Sequence, residues 1–121
     1  MTSARHHRWA DMPTEALKGG MRRRFVVGQS LMLAEVRFAK GDVVARHSHH
    51  NEQITQVISG AMHFFFGAQD EDEAVVRAGE LVTIPAHLPH RAVILEDTVS
   101  FDVFTPPRED WIKGEDAYLR A

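Results

Sequence analysis

Two short runs of this chain carry side chains that could converge on a metal ion. The first, from Gly41 to Gln53 and closed by Gly60, holds His47, His49 and Gln53 at spacings of two and four. The second runs from Gly79 to His90, about a strand pair further on. In a strand, residues two apart share a face. If residues 47–57 are roughly extended, His47, His49 and Gln53 face one side together with Thr55 and Val57. An imidazole facing an apolar interior needs a partner, because an unpaired polar group is costly to bury. A divalent metal is such a partner, and delivery of His90 to the first run would bring four side chains to one ion. Imidazole with one oxygen ligand suits nickel, zinc, iron, manganese or cobalt.

Short strands must position these groups. Residues 30–38 alternate, with Met32, Ala34, Val36 and Phe38 on one side. Residues 53–59, 61–66, 73–77, 81–84, 90–96 and 98–104 read as further strands, punctuated by Gly60, Gly67, Gly79 and Pro85. Seven or so strands at this spacing predict an all-β sandwich or barrel. The helical signal is weak: one turn over residues 13–17 before Gly19-Gly20, and a polar tail over residues 110–119 packed on the surface. Met21 to Arg24 reads as a charged, aggregation-resistant edge. Asp70 to Glu73 reads as a solvated hairpin tip, since it lacks the glycine and spaced ligands of a calcium loop.

Composition narrows the function classes. The 121 residues suit one domain with a real core. No cysteine is present, which excludes disulfides, thiolate zinc sites and cysteine nucleophiles. A net charge of -3 with mixed signs offers no field for a nucleic acid. No apolar run is long enough to span a bilayer. The N-terminus has no hydrophobic segment behind its basic residues, so no signal peptide is expected and the cytoplasm is the default location. His6 and His7 read as a solvated terminus.

The last strand poses a choice. Ser100, Asp102 and Phe104 share one face, and Val99, Phe101 and Val103 the other, which looks like core or interface packing. Asp102 either sits on the wet face of an antiparallel sheet or lines the barrel mouth and moves a proton. In the second case Arg108, behind the stiff Pro106-Pro107 pair, could clamp a carboxylate.

Gly41-x5-His47-x-His49-x3-Gln53-x6-Gly60 resembles the first motif of the cupin family, and Gly79-x5-Pro85-x4-His90 the second. The resemblance implies a single-domain cupin double-stranded β-helix, or jelly-roll barrel, over residues 1–121. Its core would span about residues 25–105, with the terminal segments packed outside. It implies one divalent metal held by His47, His49, Gln53 and His90. The family usually has glutamate at Gln53, glycine at His87 and asparagine at Ile94, so His87 competes with His90; the motif register favours His90. A neutral glutamine leaves the dication uncompensated, which favours Lewis-acid action on a bound oxygen. Glu52, His50 and His63 have the parity of outward residues.

The strings His47-Ser48-His49-x2-Glu52-Gln53-Ile54, Ile84-Pro85-Ala86-x2-Pro89-His90 and Asp102-Val103-Phe104-x-Pro106-Pro107-Arg108-x-Asp110 are similar to the KdgF-type cupins of pectin and alginate catabolism. That likeness implies linearisation and ketonisation of 4,5-unsaturated uronates, with Asp102, Phe104 and Arg108 in the active site. The expected partner is a small carboxylated sugar, with no nucleic acid or membrane. A homodimer is expected, with Phe64, Phe66 and Phe101 as apolar residues to spare. The rival readings are an iron-dependent oxygenase and a non-catalytic ligand sensor. Metal affinity is expected to fall below about pH 6, where free imidazole titrates.

Overall fold

Ten strands form among the described residues, most of them with alternate residues buried. The computed structural model describes residues 3–120; Met1, Thr2 and Ala121, the ends of the expected domain, lie outside the described residues. The strands are β1 (Glu15–Ala16), β2 (Arg22–Val27), β3 (Met32–Phe38), β4 (Val43–His47), β5 (Glu52–Ser59), β6 (Ala61–Phe66), β7 (Asp72–Arg77), β8 (Leu81–Ile84), β9 (His90–Ile94) and β10 (Thr98–Thr105). Helix α1 (Glu109–Lys113) and 3-10 turns at Trp9–Asp11 and Ala117–Leu119 complete the chain. Two antiparallel sheets form, ordered β1-β2-β3-β10-β5-β8 and β4-β9-β6-β7. They face each other in the expected all-β jelly roll around Met32, Val36, Val57, Met62, Phe64, Ile84, Ile94 and Phe104.

Several sequence-based expectations are corrected. Residues 13–17 form no helical turn; Glu15–Ala16 pairs with β2 instead. The Met21 to Arg24 segment is no mere edge. Arg23 is buried inside β2, and its guanidinium meets Asp116 at 2.5 Å and the Trp111 ring centroid at 4.3 Å. A run of three arginines hides the alternation that marks a strand. Nor is the segment after residue 108 a surface tail: Trp111, Asp116 and Leu119 are buried, and the chain folds across the barrel mouth.

The inward face of β10 is Ser100, Asp102 and Phe104, while Val99, Phe101 and Val103 are partly exposed. The apolar face is thus the outer one, so of the two expected readings, core or interface packing, the core reading is corrected. Phe64 and Phe66 are buried in the core and not spare. Residues 47–57 are not one extended run either. The register slips between Val44 and His47, and a loop follows before β5. Such a bulge re-aims a strand, and it turns both Val44 and His47 away from solvent.

Two non-glycine residues, Asp70 and His87, have positive φ, and the second lies in the turn before β9. His87 has φ of 68°, the left-handed region that glycine enters freely and other residues at a cost. Its amide donates to His49 O at 2.8 Å, so the turn before β9 holds it there, with the side chain exposed. His87→Gly should therefore stabilise the fold by about 1 kcal/mol and raise the Tm by roughly 4 °C. Thermal melts of the two proteins check this; an unchanged or lower Tm would mean that the imidazole contributes something the backbone does not reveal.

Candidate metal centre

Three histidines meet between the sheets. His47 ends β4 and His90 begins β9, and the two are register partners. His49 enters from the loop between β4 and β5. One ring nitrogen of each lies within 4.8 Å of the others. Their tautomers follow from backbone chemistry. Each Nδ1 faces a carbonyl that can only accept: Ala45 O at 2.8 Å, Asn51 O at 3.0 Å and Leu88 O at 2.8 Å. Each Nδ1 therefore carries the proton and donates, leaving Nε2 a bare lone pair. Carbonyls in this role orient metal-ligating imidazoles. His90 Nε2 is buried with no hydrogen-bond partner.

Gln53 joins from β5. Its Nε2 donates to Thr55 Oγ1 at 2.8 Å, so its Oε1 is the end that faces His49 Nε2 at 3.0 Å. With Nδ1–H of His49 already donated, two acceptors oppose each other with no hydrogen between them. A cation bound by both atoms resolves that conflict. The orphaned His90 nitrogen and this acceptor pair fit a divalent metal, with N and O donors as expected.

Burial and mutual repulsion keep the imidazoles neutral. His47 is pushed down to about 3 by burial and then by the neighbouring His90. His49 falls to about 4 through burial and the positive charge of Arg108, and burial lowers His90 too. Asp102 goes the other way: burial pushes it up to about 6 against the Thr55 hydrogen bond and Arg108, which favour the carboxylate. Thr55 donates to Asp102 Oδ1 at 2.6 Å.

Of the expected site residues, His47, Gln53, His90, Asp102, Phe104 and Arg108 line one cavity, and His49 packs edge-on against Phe104 at 5.8 Å. Asp102 is buried, so the wet-face alternative is excluded. Arg108 is not idle. Its Nε and Nη2 hold Asp110 at 2.9 and 2.8 Å, and Nη2 also donates to Tyr118 Oη at 2.6 Å. His87 and His50 are exposed and lie outside the histidine cluster, and Glu52 points outward as expected. His63 stacks on Phe65 on the outer side of β6.

Sequence reasoning missed four residues around the site. Tyr118 stacks on His47 with ring centroids 4.5 Å apart. Trp111 and Leu119 line the same cavity. Asn51 is buried and donates to Pro106 O at 2.6 Å and Pro107 O at 3.2 Å, tying the ligand loop to the segment that carries Arg108. The only sequence signal was the aromatic content of the tail.

The expected loss of metal affinity below about pH 6 belongs to exposed imidazole. Protons compete only below the pKa of the metal-free folded site, which burial has lowered. Ni2+ affinity should fall between pH 7.5 and about 5.5 by much less than three unshifted histidines would impose, each of which would cost about tenfold at the lower pH. Titration calorimetry across that range distinguishes the two. The folding linkage has a matching sign. Unfolded histidines bind protons that the folded ones refuse, so the metal-free fold loses stability as pH falls from 6.5 toward 4. Asp102, protonated more readily when folded, opposes this as one group against three.

A family model described as Cupin domain matches residues 34–104. The structure resembles KdgF from Halomonas sp., with a TM-score of 0.77 and 27% identity over 85% of this chain and 95% of that one. An RmlC-like cupin from Shewanella frigidimarina matches with a TM-score of 0.81 and 27% identity, over 90% of this chain and 96% of the other. Oxalate decarboxylase of Bacillus subtilis, a protein with Mn(II) centers, shares the fold alone: TM-score 0.70, 21% identity, 81% of this chain and 28% of that one. No curated protein matches the sequence.

Proposed function

The chain belongs to the cupin family, and we propose that it is a metal-dependent enzyme that linearises and ketonises 4,5-unsaturated uronate sugars. His47, His49, His90 and Gln53 would hold the divalent metal. When bound, the metal supplies Lewis-acid stabilisation of negative charge on a substrate oxygen. The observation that carries an enzymatic reading is Asp102: a buried carboxyl, pushed up to about 6, in the cavity that the histidines line. A group poised near the working pH can both take and return a proton. Asp102 would take the proton of the anomeric hydroxyl as the bond from C1 to the ring oxygen breaks, leaving an aldehyde and an enolate, and return it to C4 as the enolate becomes the ketone. Phe104, packed against Trp111 with centroids 5.0 Å apart, would wall off water. Arg108 would pair with the substrate carboxylate through Nη1, which has no protein acceptor among the described residues. The likeness to KdgF supports this choice of substrate.

The cavity of about 40 Å³ takes roughly three waters. The segment over residues 109–120 supplies Trp111, Tyr118 and Leu119 to its lining.

Elemental analysis of the purified protein should find near one metal per chain, lost in His49→Ala. Asp102→Asn should keep the metal and lose at least about a hundredfold in unsaturated-uronate turnover. Absence of metal in both proteins after reconstitution would sink the mechanism. Metal without any turnover would leave a ligand-binding cupin, and oxygen consumption on turnover would point to the oxygenase reading.

The partner we infer is a second copy of the chain. Register pairing aligns Val26, Leu33, Val103 and Ile54 across the outer face of the larger sheet. Leu33 and Ile54 are 36% and 39% exposed there. A continuous apolar row of this kind is typical of an interface. Leu33→Glu with Ile54→Glu should convert a dimer into a monomer in sedimentation velocity; a wild-type chain that already sediments as a monomer would refute the assignment.

A further inference from the structure

One hydrogen-bonded chain in the cavity has a direction. Gln53 Nε2 donates to Thr55 Oγ1 at 2.8 Å, and Thr55 donates to Asp102 Oδ1 at 2.6 Å. Thr55 is fully buried, as is most of Asp102. A carboxylate only accepts, so the single hydroxyl proton of Thr55 is committed to Asp102. The threonine oxygen is left as an acceptor, and the group beside it is the Gln53 amide. The NH2 end must turn to Thr55, which leaves Oε1 facing His49 Nε2 at 3.0 Å.

We propose that Thr55 is a positioning residue that decides which end of the Gln53 amide is presented to the metal. This rests on the reading that His47, His49, Gln53 and His90 hold that metal. The terminal amide torsion is soft and roughly two-fold, so packing alone selects poorly between its ends. The NH2 end has no lone pair to offer a cation, and a flipped glutamine is no ligand. Thr55 removes the choice, because the flipped amide would set Oε1 against an oxygen whose proton is already given away.

Replacement of the amide by a carboxylate makes both ends oxygen, so nothing is left to orient. That symmetry separates an orienting role from a packing role. Ni2+ would be titrated by calorimetry into the metal-free full chain at about pH 8, where free carboxylates are ionised. The wild type, Thr55→Val, Gln53→Glu and the double variant form a cycle. Thr55→Val should weaken Ni2+ binding about tenfold or more, the scale of losing a group that orients a metal ligand. In the Gln53→Glu background the same substitution should cost less than about twofold, since the orientation has become irrelevant. Thr55→Ser, which keeps the hydroxyl, should bind as the wild type does.

An equal loss in both backgrounds would reduce Thr55 to packing and overturn the proposal, as would no loss in the background that keeps Gln53. A wild-type chain that takes up no Ni2+ would refute the metal reading itself, and the proposal with it; the first titration separates that failure from the others. If Thr55→Val does not fold, Thr55→Cys carries the same comparison, because a thiol is a weak donor and acceptor.

Discussion

The structure turns on a commitment of protons. Three backbone carbonyls, each two residues from the histidine it serves, take the Nδ1 protons of His47, His49 and His90. That leaves three imidazole lone pairs directed elsewhere, and Gln53 adds an amide oxygen in hydrogen-bond range of one of them. A buried group of acceptors without donors is unfavourable by itself. It persists because each ring is held by backbone that belongs to a strand end or an anchored loop. His47 and His90 are register partners across β4 and β9, and the Asn51 loop is tied to the Pro106-Pro107 segment. The unfavourable cluster is what a cation would relieve.

Arg108 sets the electrostatics around that cluster. Its charge disfavours protonation of His49 and His90 and favours the ionised form of Asp102. Desolvation outweighs it at Asp102, so the carboxyl rises instead of falling. Arg108 is itself held by Asp110 and Tyr118, both from the segment that covers the barrel mouth. That segment is in turn anchored by Asp116, paired with the buried Arg23 and with Arg120, and by Trp111, against which Arg23 stacks. Buried charge of this kind is a costly way to gain stability. Here it links β2 of the larger sheet to the chain that closes the cavity, so the terminal segment belongs to the site and not to the periphery.

Most strands were legible because they follow the period of two. Residues 61–66 and 81–84 match β6 and β8 to the residue, and β3, β5, β7, β9 and β10 differ only at their ends. The missed strands break that pattern for identifiable reasons. In β2 an arginine faces inward because its partner, Asp116, lies more than ninety residues away. In β4 a bulge resets the parity, so residues 47–57 are not one extended run, yet His47, His49 and Gln53 still come together. The faces of β10 were open in the sequence, since a strand with polar and apolar sides does not say which is inside. Pairing of Asp102 with Thr55 on β5 answers it.

The sequence by itself determined the all-β class and the residues that could ligate a metal, because both are written in local spacing: alternation for strands, and His-x-His with its framing glycines for the ligand loop. Only the tertiary structure decided the rest. It brought His90 to His47, turned Asp102 and Arg23 inward, folded Tyr118 over His47 and chose the end of Gln53 that faces His49. Each of these depends on a partner distant in the chain, and on burial that strips water from groups whose proton affinity then depends on their neighbours. Local spacing contains no information about either.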